Sequence, residues 1–252
     1  MPANEELTRL LGRAERVLVF TGAGVSTSSG IPDFRGPQGV WKRRQPVMFQ
    51  DFVASEESRV EYWDQKAEGW EGFRDAQPTP THRALVELEE LGRLEAVLTQ
   101  NIDGLHQAAG TSSERLLELH GTNRWVECLD CGERTDPDPS VAEFRETRAC
   151  PRCPCGGLRK FATISFGQAL EPEILQRAAS HAQSADLALA MGSTLSVTPA
   201  CLFPALVKEQ GHPLIIINQG ETDLDGAADL RLDGSLDALV PPAISALRTE
   251  ST

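Results

Sequence analysis

Four consecutive apolar residues, Val17-Leu18-Val19-Phe20, run straight into Thr21-Gly22-Ala23-Gly24 and then into a string of small hydroxyl residues, Ser26-Thr27-Ser28-Ser29. A short aliphatic run with no polar alternation reads as a parallel strand buried on both faces. Glycine then turns the chain sharply and lets a bulky anion approach the backbone. The hydroxyl residues are helix caps, and the N–H groups at a helix start attract phosphate. Strand, glycine turn and helix start form the front of a dinucleotide site, although Thr27 stands where the usual fingerprint has its third glycine.

The same unit recurs downstream. Val97-Leu98-Thr99 leads into Gln100-Asn101-Ile102-Asp103, Leu187 to Met191 into Gly192-Ser193-Thr194, and Leu214 to Ile217 into Asn218-Gln219-Gly220. Helical spacing is expected over 3–14, 81–91 and 171–182, and further strands over 116–121 and 161–166. Alternating strands and helices predict an α/β fold, a doubly wound parallel sheet of Rossmann-like type. Ligands of such sheets sit outside the carboxyl ends of the strands, where each polar turn falls. Two stretches break the alternation: an aromatic-rich one at 42–78 and a cysteine-rich one at 125–158. The expected division is therefore a large discontinuous domain of 1–41, 79–124 and 159–252, and a second, smaller domain formed by the two insertions.

Five of the six cysteines, Cys128, Cys131, Cys150, Cys153 and Cys155, crowd into 28 residues. The start of the chain has neither the basic residues nor the apolar stretch of a secretory signal, so a cytoplasmic protein is expected and a disulfide framework is not. Cys128-x2-Cys131 followed by Cys150-x2-Cys153 fits a four-thiolate zinc site. Four protein ligands leave no open position, which makes the metal structural. The fourth ligand is open between Cys153 and Cys155. Cys201, on an expected helix, reads as a core residue.

Net charge is −13, from 37 acidic and 24 basic residues. Nucleic-acid binding draws on basic surface and is not expected. Acidic surface is compatible with lysine-rich protein partners. The longest unbroken aliphatic run, Leu214 to Ile217, is far too short to span a membrane.

The glycine turn continues without a gap into Gly30-Ile31-Pro32-Asp33-Phe34-Arg35-Gly36, and the whole run resembles the sirtuins, the NAD-dependent protein-lysine deacylases. Gln100-Asn101-Ile102-Asp103 and then Leu119-His120-Gly121 follow in that family's order, and the resemblance covers almost the whole chain. It implies NAD as co-substrate, one structural zinc, and acyl-lysine proteins or peptides as partners. Of the zinc ligands, it favours Cys128, Cys131, Cys150 and Cys155, because glycines follow the last cysteine of the family's second pair.

The resemblance also implies roles for particular residues. His120 would be the general base that takes a ribose proton, with Asn101 beside it. Gly22, Ala23, Gly24 and Ser26 would meet the pyrophosphate. Asp33, Phe34 and Arg35 would lie over the nicotinamide ribose, Gln100 would bind ribose hydroxyls or a water, Asp103 would hold the nicotinamide carboxamide, and Trp41 and Ile102 would also contact the cofactor. Gly192, Ser193, Thr194, Asn218, Gln219, Gly220 and Leu236 would hold the adenosine half. Ile164, Phe166, Gly167 and Val197 would take the acyl-lysine.

Gln168 stands where the family usually has a glutamate. No arginine lies between Tyr62 and Ala67 to bind an acyl carboxylate, so neutral acyl groups, long ones included, are the expected substrates. The implied function is a deacetylase. The alternatives in the same cleft are a long-chain deacylase, a mono-ADP-ribosyltransferase and a non-catalytic NAD-binding regulator.

Overall fold

The computed structural model describes residues 3–33, 39 and 44–250, so Phe34, Arg35 and Trp41 lie outside the described residues. The chain opens with α1 (Ala3–Arg13) and β1 (Val17–Thr21), whose five residues are all buried. Three helices follow, α2 (Phe49–Ala54), α3 (Glu56–Glu68) and α4 (Trp70–Arg74). Next come α5 (Pro80–Glu90), β2 (Leu94–Thr99), α6 (Leu105–Ala109) and β3 (Leu116–Glu118). Then come β4 (Gly121–Cys128), β5 (Arg134–Thr135), α7 (Pro137–Thr147) and β6 (Arg159–Thr163). The chain closes with α8 (Pro172–Ser184), β7 (Leu187–Met191), α9 (Leu202–Glu209), β8 (Leu214–Ile217), β9 (Leu230–Leu232) and α10 (Leu236–Glu250).

Among the described residues six strands form one parallel sheet in the order β3-β2-β1-β7-β8-β9. That is the doubly wound order, with its switch point between β1 and β7. Successive side chains of a strand face opposite ways. Val17 and Val19 therefore join one core under α1, α5 and α10, while Leu18 and Phe20 join another under α8 and α9. With both faces covered, the strands need the continuous apolar runs seen in the sequence.

The smaller antiparallel sheet, β5-β4-β6, grows out of the larger one, because β4 begins three residues after β3 ends. Its core joins both interrupting stretches: Phe52, Tyr62, Trp63 and Trp70 from α2–α4 pack on Val126, Phe144 and Phe161. Trp63 Nε1 ties the two parts with a 3.0 Å hydrogen bond to the Arg159 carbonyl.

Two local expectations change. The segment after Gly22 is a tight 3-10 turn, Ala23–Ser29, not an α-helix, and it ends at Gly30 in the left-handed region (φ 85°). Pro32 disfavours helical backbone at Ile31 and prevents the turn from extending. The strand expected to reach residue 166 stops at Thr163, because Gln168 N–H closes a turn onto the Ser165 carbonyl at 3.0 Å.

Candidate active site

A cleft of about 1730 Å³ runs along the carboxyl ends of β1, β2, β7 and β8 and under the small sheet. A single small-molecule pocket occupies roughly 300–1,000 Å³, so this one has room for a dinucleotide and a peptide segment. At the switch point the two strand ends meet with no side chain between them. Gly22 N–H donates to the Met191 carbonyl at 3.0 Å and Gly24 N–H to the Gly192 carbonyl at 2.9 Å. A Cβ on Gly24 would lie 2.6 Å from Gly192 Cα, so this glycine is required by backbone packing.

His120 sits where the chain leaves the large sheet for the small one. Its Nδ1 is 3.2 Å from the Gln100 carbonyl. A carbonyl only accepts, so Nδ1 carries the proton and the lone pair of the neutral ring is on Nε2. The small sheet fixes the other side, with Ile164 N–H donating to the His120 carbonyl at 2.8 Å. Gly121 follows with φ 70°, and a Cβ there would come within 2.2 Å of the Ala162 carbonyl oxygen. The His-Gly step thus has a steric cause: the histidine is useful only if the next residue can turn this tightly against β6.

The loop after β2 is held from below. Asn101 donates from its side-chain amide to the Gly22 carbonyl and to Ser26 Oγ, both at 3.1 Å. Ser26 Oγ in turn donates to Asp103 Oδ2 at 2.7 Å, and Leu105 N–H reaches Asp103 Oδ1 at 2.9 Å. Burial pushes the Asp103 carboxyl pKa up against these two donors. Beneath lies a buried polar chain that sequence reasoning missed. His106 Nε2 is 3.0 Å from Thr21 Oγ1, which donates to Thr99 Oγ1 at 2.8 Å, and Asn101 N–H donates to the same Thr99 oxygen at 3.0 Å. The ring of His106 lies 4.6 Å from that of His82. Burial holds His82 down at about 4 and His106 well below the ordinary imidazole value, so both are neutral at pH 7.

The cleft lining includes Gly22, Ala23, Gly24, Asp33, Gln100, Asn101, Ile102, His120, Gly192, Ser193, Thr194, Asn218, Gln219 and Leu236. Ile164, Phe166, Gly167 and Val197 line the same cleft. Ser26, Asp103 and Gly220 are not part of the lining; Ser26 is wholly buried and serves the loop, whereas Gly220 is exposed. Gln100 Nε2 donates to Ser193 Oγ at 2.8 Å, so the two halves of the cofactor side are linked. Near the acyl side Gln168 Oε1 accepts from Ser165 N–H at 3.1 Å, closing its own turn. The segment from Tyr62 to Ala67 itself contains no arginine, but Arg44, held by Glu61 and Asp64, lines the cleft beside it, and Lys66 adds an amine to the same wall. Asp237, which no sequence motif singled out, accepts from Ser28 Oγ at 2.6 Å and from Thr81 N–H at 3.0 Å, and so ties the glycine turn to α5.

At the far end of the small sheet the ligand atoms of Cys128, Cys131, Cys153 and Cys155 lie within 4.8 Å of one another. Cys128 and Cys155 sulfurs are 3.5 Å apart, and those of Cys131 and Cys153 are 3.6 Å apart. A tetrahedral zinc with Zn–S of about 2.3 Å requires sulfurs roughly 3.8 Å apart, whereas a disulfide needs about 2.05 Å. The four thiols fit zinc. Cys150 corrects the sequence expectation: it is not in this group. Its Sγ points to the carbonyls of Pro151 and Arg159, in the apolar core, where burial raises its thiol pKa. The cause is a tight turn after it, closed by Gly156 N–H on the Cys153 carbonyl (2.8 Å) and Cys153 N–H on the Gly157 carbonyl (3.0 Å). That turn brings Cys153 and Cys155 to one side, and Gly157 leaves room for Cys128 Sγ, which a Cβ would approach to 2.6 Å.

Doubly wound sheet, glycine switch point, thiolate cluster and a histidine aimed into the intervening cleft define a dinucleotide-binding protein with a metal-tied flap. Comparison with known proteins narrows the class. A model of the Sir2 family matches residues 22–199. The chain is 43% identical over 227 residues to an NAD-dependent protein deacetylase of Rhodopseudomonas palustris, covering 90% of each. It is 40% identical over 248 residues to NAD-dependent protein deacetylase 1 of Pyrobaculum aerophilum, covering 97% of this chain and 94% of that one. Among solved structures it resembles a Sir2 homolog–NAD complex (TM-score 0.87, 33% identity, 98% and 95% coverage). It also resembles a Sir2 protein with deacetylated p53 peptide and 3′-O-acetyl ADP ribose (TM-score 0.89, 32% identity, 96% and 97% coverage). This chain belongs to the Sir2 family.

Proposed function

We propose that the protein is an NAD-dependent protein-lysine deacetylase that moves the acyl group of a lysine side chain onto ADP-ribose and releases nicotinamide. The observation that carries this reading is His120, half-buried in the wall of the cleft, with Nδ1 committed to the Gln100 carbonyl and its lone pair on Nε2. Bound NAD supplies the ribose carbon that takes the acyl oxygen as nicotinamide leaves. The protein supplies a base for a ribose hydroxyl, and His120 Nε2 has that role. Asn101 is held by the Gly22 carbonyl and Ser26, so its amide borders the ribose without being able to swing. Asp103, whose carboxyl is held by Ser26 Oγ and the Leu105 N–H, has the role of meeting the nicotinamide carboxamide. A cleft walled by Ile102, Phe161, Ile164 and Val197 limits water around the reacting carbon.

Acyl-lysine peptides enter beside Phe166 and Gly167 in the cleft wall, whose carbonyls are held by Phe49 N–H and Gln50 Nε2. One zinc held by Cys128, Cys131, Cys153 and Cys155 ties the small sheet and takes no part in the chemistry. No helix among the described residues is long and apolar enough to cross a membrane, and a cytoplasmic location fits the reduced thiols. The test is mass spectrometry of products from an acetyl-lysine peptide and NAD. O-acetyl-ADP-ribose with the free-lysine peptide is expected; ADP-ribosylated protein, or an unchanged peptide, overturns the reading.

A further inference from the structure

Only four of the chain's 24 basic residues are lysines, at 42, 66, 160 and 208, and two of them flank the place where β4 and β6 part. The ladder pairs Gly121 with Thr163 and next Val126 with Phe161, so β4 advances five residues while β6 advances two. Residues Thr122 to Trp125 therefore leave the ladder as a wide bulge, three residues longer than its partner. The bulge reaches the large sheet at two points. Asn123 N–H donates to the Ile102 carbonyl at 2.8 Å. The Arg124 side chain lies over Gly104, where a Cβ would approach Arg124 Cδ to 2.8 Å. Ile102 and Gly104 flank Asp103. From the other side, Lys66 Nζ on α3 donates to Asn123 Oδ1 at 2.9 Å.

We infer that Lys66 and Asn123 are positioning residues, a brace that runs from α3 through the β4 bulge and holds the Ile102-Asp103-Gly104 loop in register with the acyl-lysine end of the cleft. The inference rests on the deacetylase reading for the role of that loop, but the brace itself is a matter of geometry. Both Lys66 and Asn123 line the cleft. The groups that face the Lys66 amine come from three elements. Tyr62 on α3 and Phe161 on β6 present rings with centroids 5.8 and 5.2 Å away. Asn123 on β4 supplies the acceptor, and Lys160 on β6 is a second cation whose own amine donates to the carbonyls of Phe161 and Thr163. Burial, with some repulsion from Lys160, brings the Lys66 pKa down to about 7. A charged donor makes roughly twice the hydrogen bond of a neutral one. The brace is therefore tight below pH 7 and slackens as pH rises through it. Arginine, which the chain prefers elsewhere, would not titrate there.

The test reads amide hydrogen exchange at Asn123, with Leu98 in the core strand β2 as internal reference. Lys66→Met speeds Asn123 exchange about 10- to 100-fold relative to Leu98, the loss of one hydrogen bond to a charged group. Lys66→Arg keeps the protection. In the unaltered protein, Asn123 protection relative to Leu98 falls between pH 6 and 8.5, and Lys66→Arg abolishes that fall. The kcat/KM for an acetyl-lysine peptide drops by a similar factor in Lys66→Met and recovers in Lys66→Arg. Equal Asn123 protection in Lys66→Met and the unaltered protein overturns the brace. Should Lys66→Met unfold the small sheet, flat protection across that pH range in the unaltered protein overturns it instead. A brace that behaves as described in a protein that removes no acetyl group leaves the inference standing and defeats the deacetylase reading.

Discussion

At His120 the Gln100 carbonyl fixes the tautomer: it accepts the hydrogen bond from Nδ1–H and leaves the ring lone pair on Nε2, the atom proposed as the base. Replacing the ring with Ala lowers kcat by about 10²- to 10⁴-fold, the usual worth of a general base. The thermal midpoint stays close to that of the unaltered protein, since the ring is half-buried and not part of either core. Its neighbour behaves in the opposite way. Gly121→Ala forces a side chain at φ 70° into the Ala162 carbonyl and costs about 1–3 kcal/mol of stability, measured by urea unfolding. The cysteines separate just as cleanly. Cys153→Ser reduces bound zinc below one per chain, whereas Cys150→Ser keeps one, measured by elemental analysis of the purified variants. In the sequence the commoner Cys-x2-Cys spacing favoured a pair that included Cys150. What decided against it was the turn geometry of Gly156-Gly157, which spacing alone does not carry.

Between elements, the histidine pair joins α5 to α6 and supports the floor of the cleft. The folded His82 holds its proton only below about pH 4, against an ordinary value of 6.5. As pH falls between those values, the unfolded chain binds a proton that the folded chain refuses, so stability falls. His82 alone accounts for a loss on the order of 3 kcal/mol across that window, at about 1.4 kcal/mol per unit, and His106 adds to it in the same direction. Urea unfolding at pH 7 and pH 4.5 checks this, and a His82→Phe variant should flatten the dependence. Strands β1, β7 and β8 were legible as aliphatic runs because burial on both faces removes polar alternation. Helix α10 was not, since Pro241 and Pro242 lie inside it and local propensity argues against a helix there. Its apolar face against α1 and α5 overrides that propensity. The small sheet was equally hidden: the pairing of β4 with β6 depends on contacts far apart in sequence.

For the molecule as a whole, the sequence carried the order of the parts, and most of the site residues it named line the cleft, because each motif falls at a strand end in a sheet whose order places those ends together. It did not carry what holds the parts in register: the Thr21–Thr99–His106 chain, Asp237 and the Lys66–Asn123 brace are side-chain contacts between distant segments. The four thiols that fit zinc join the two ends of the small sheet's distal loop. Chelation should loosen the small sheet and its pairing first while the six-stranded core survives, giving a second, lower transition in calorimetry. The most direct measurement is the ratio of nicotinamide released to acetyl-lysine peptide deacetylated, in the unaltered protein and in His120→Ala. One nicotinamide per acetyl group, with both lost together in the variant while it still binds NAD and stays folded, is the predicted result. Near-normal deacetylation by His120→Ala, or nicotinamide release that ignores the peptide, would contradict the account.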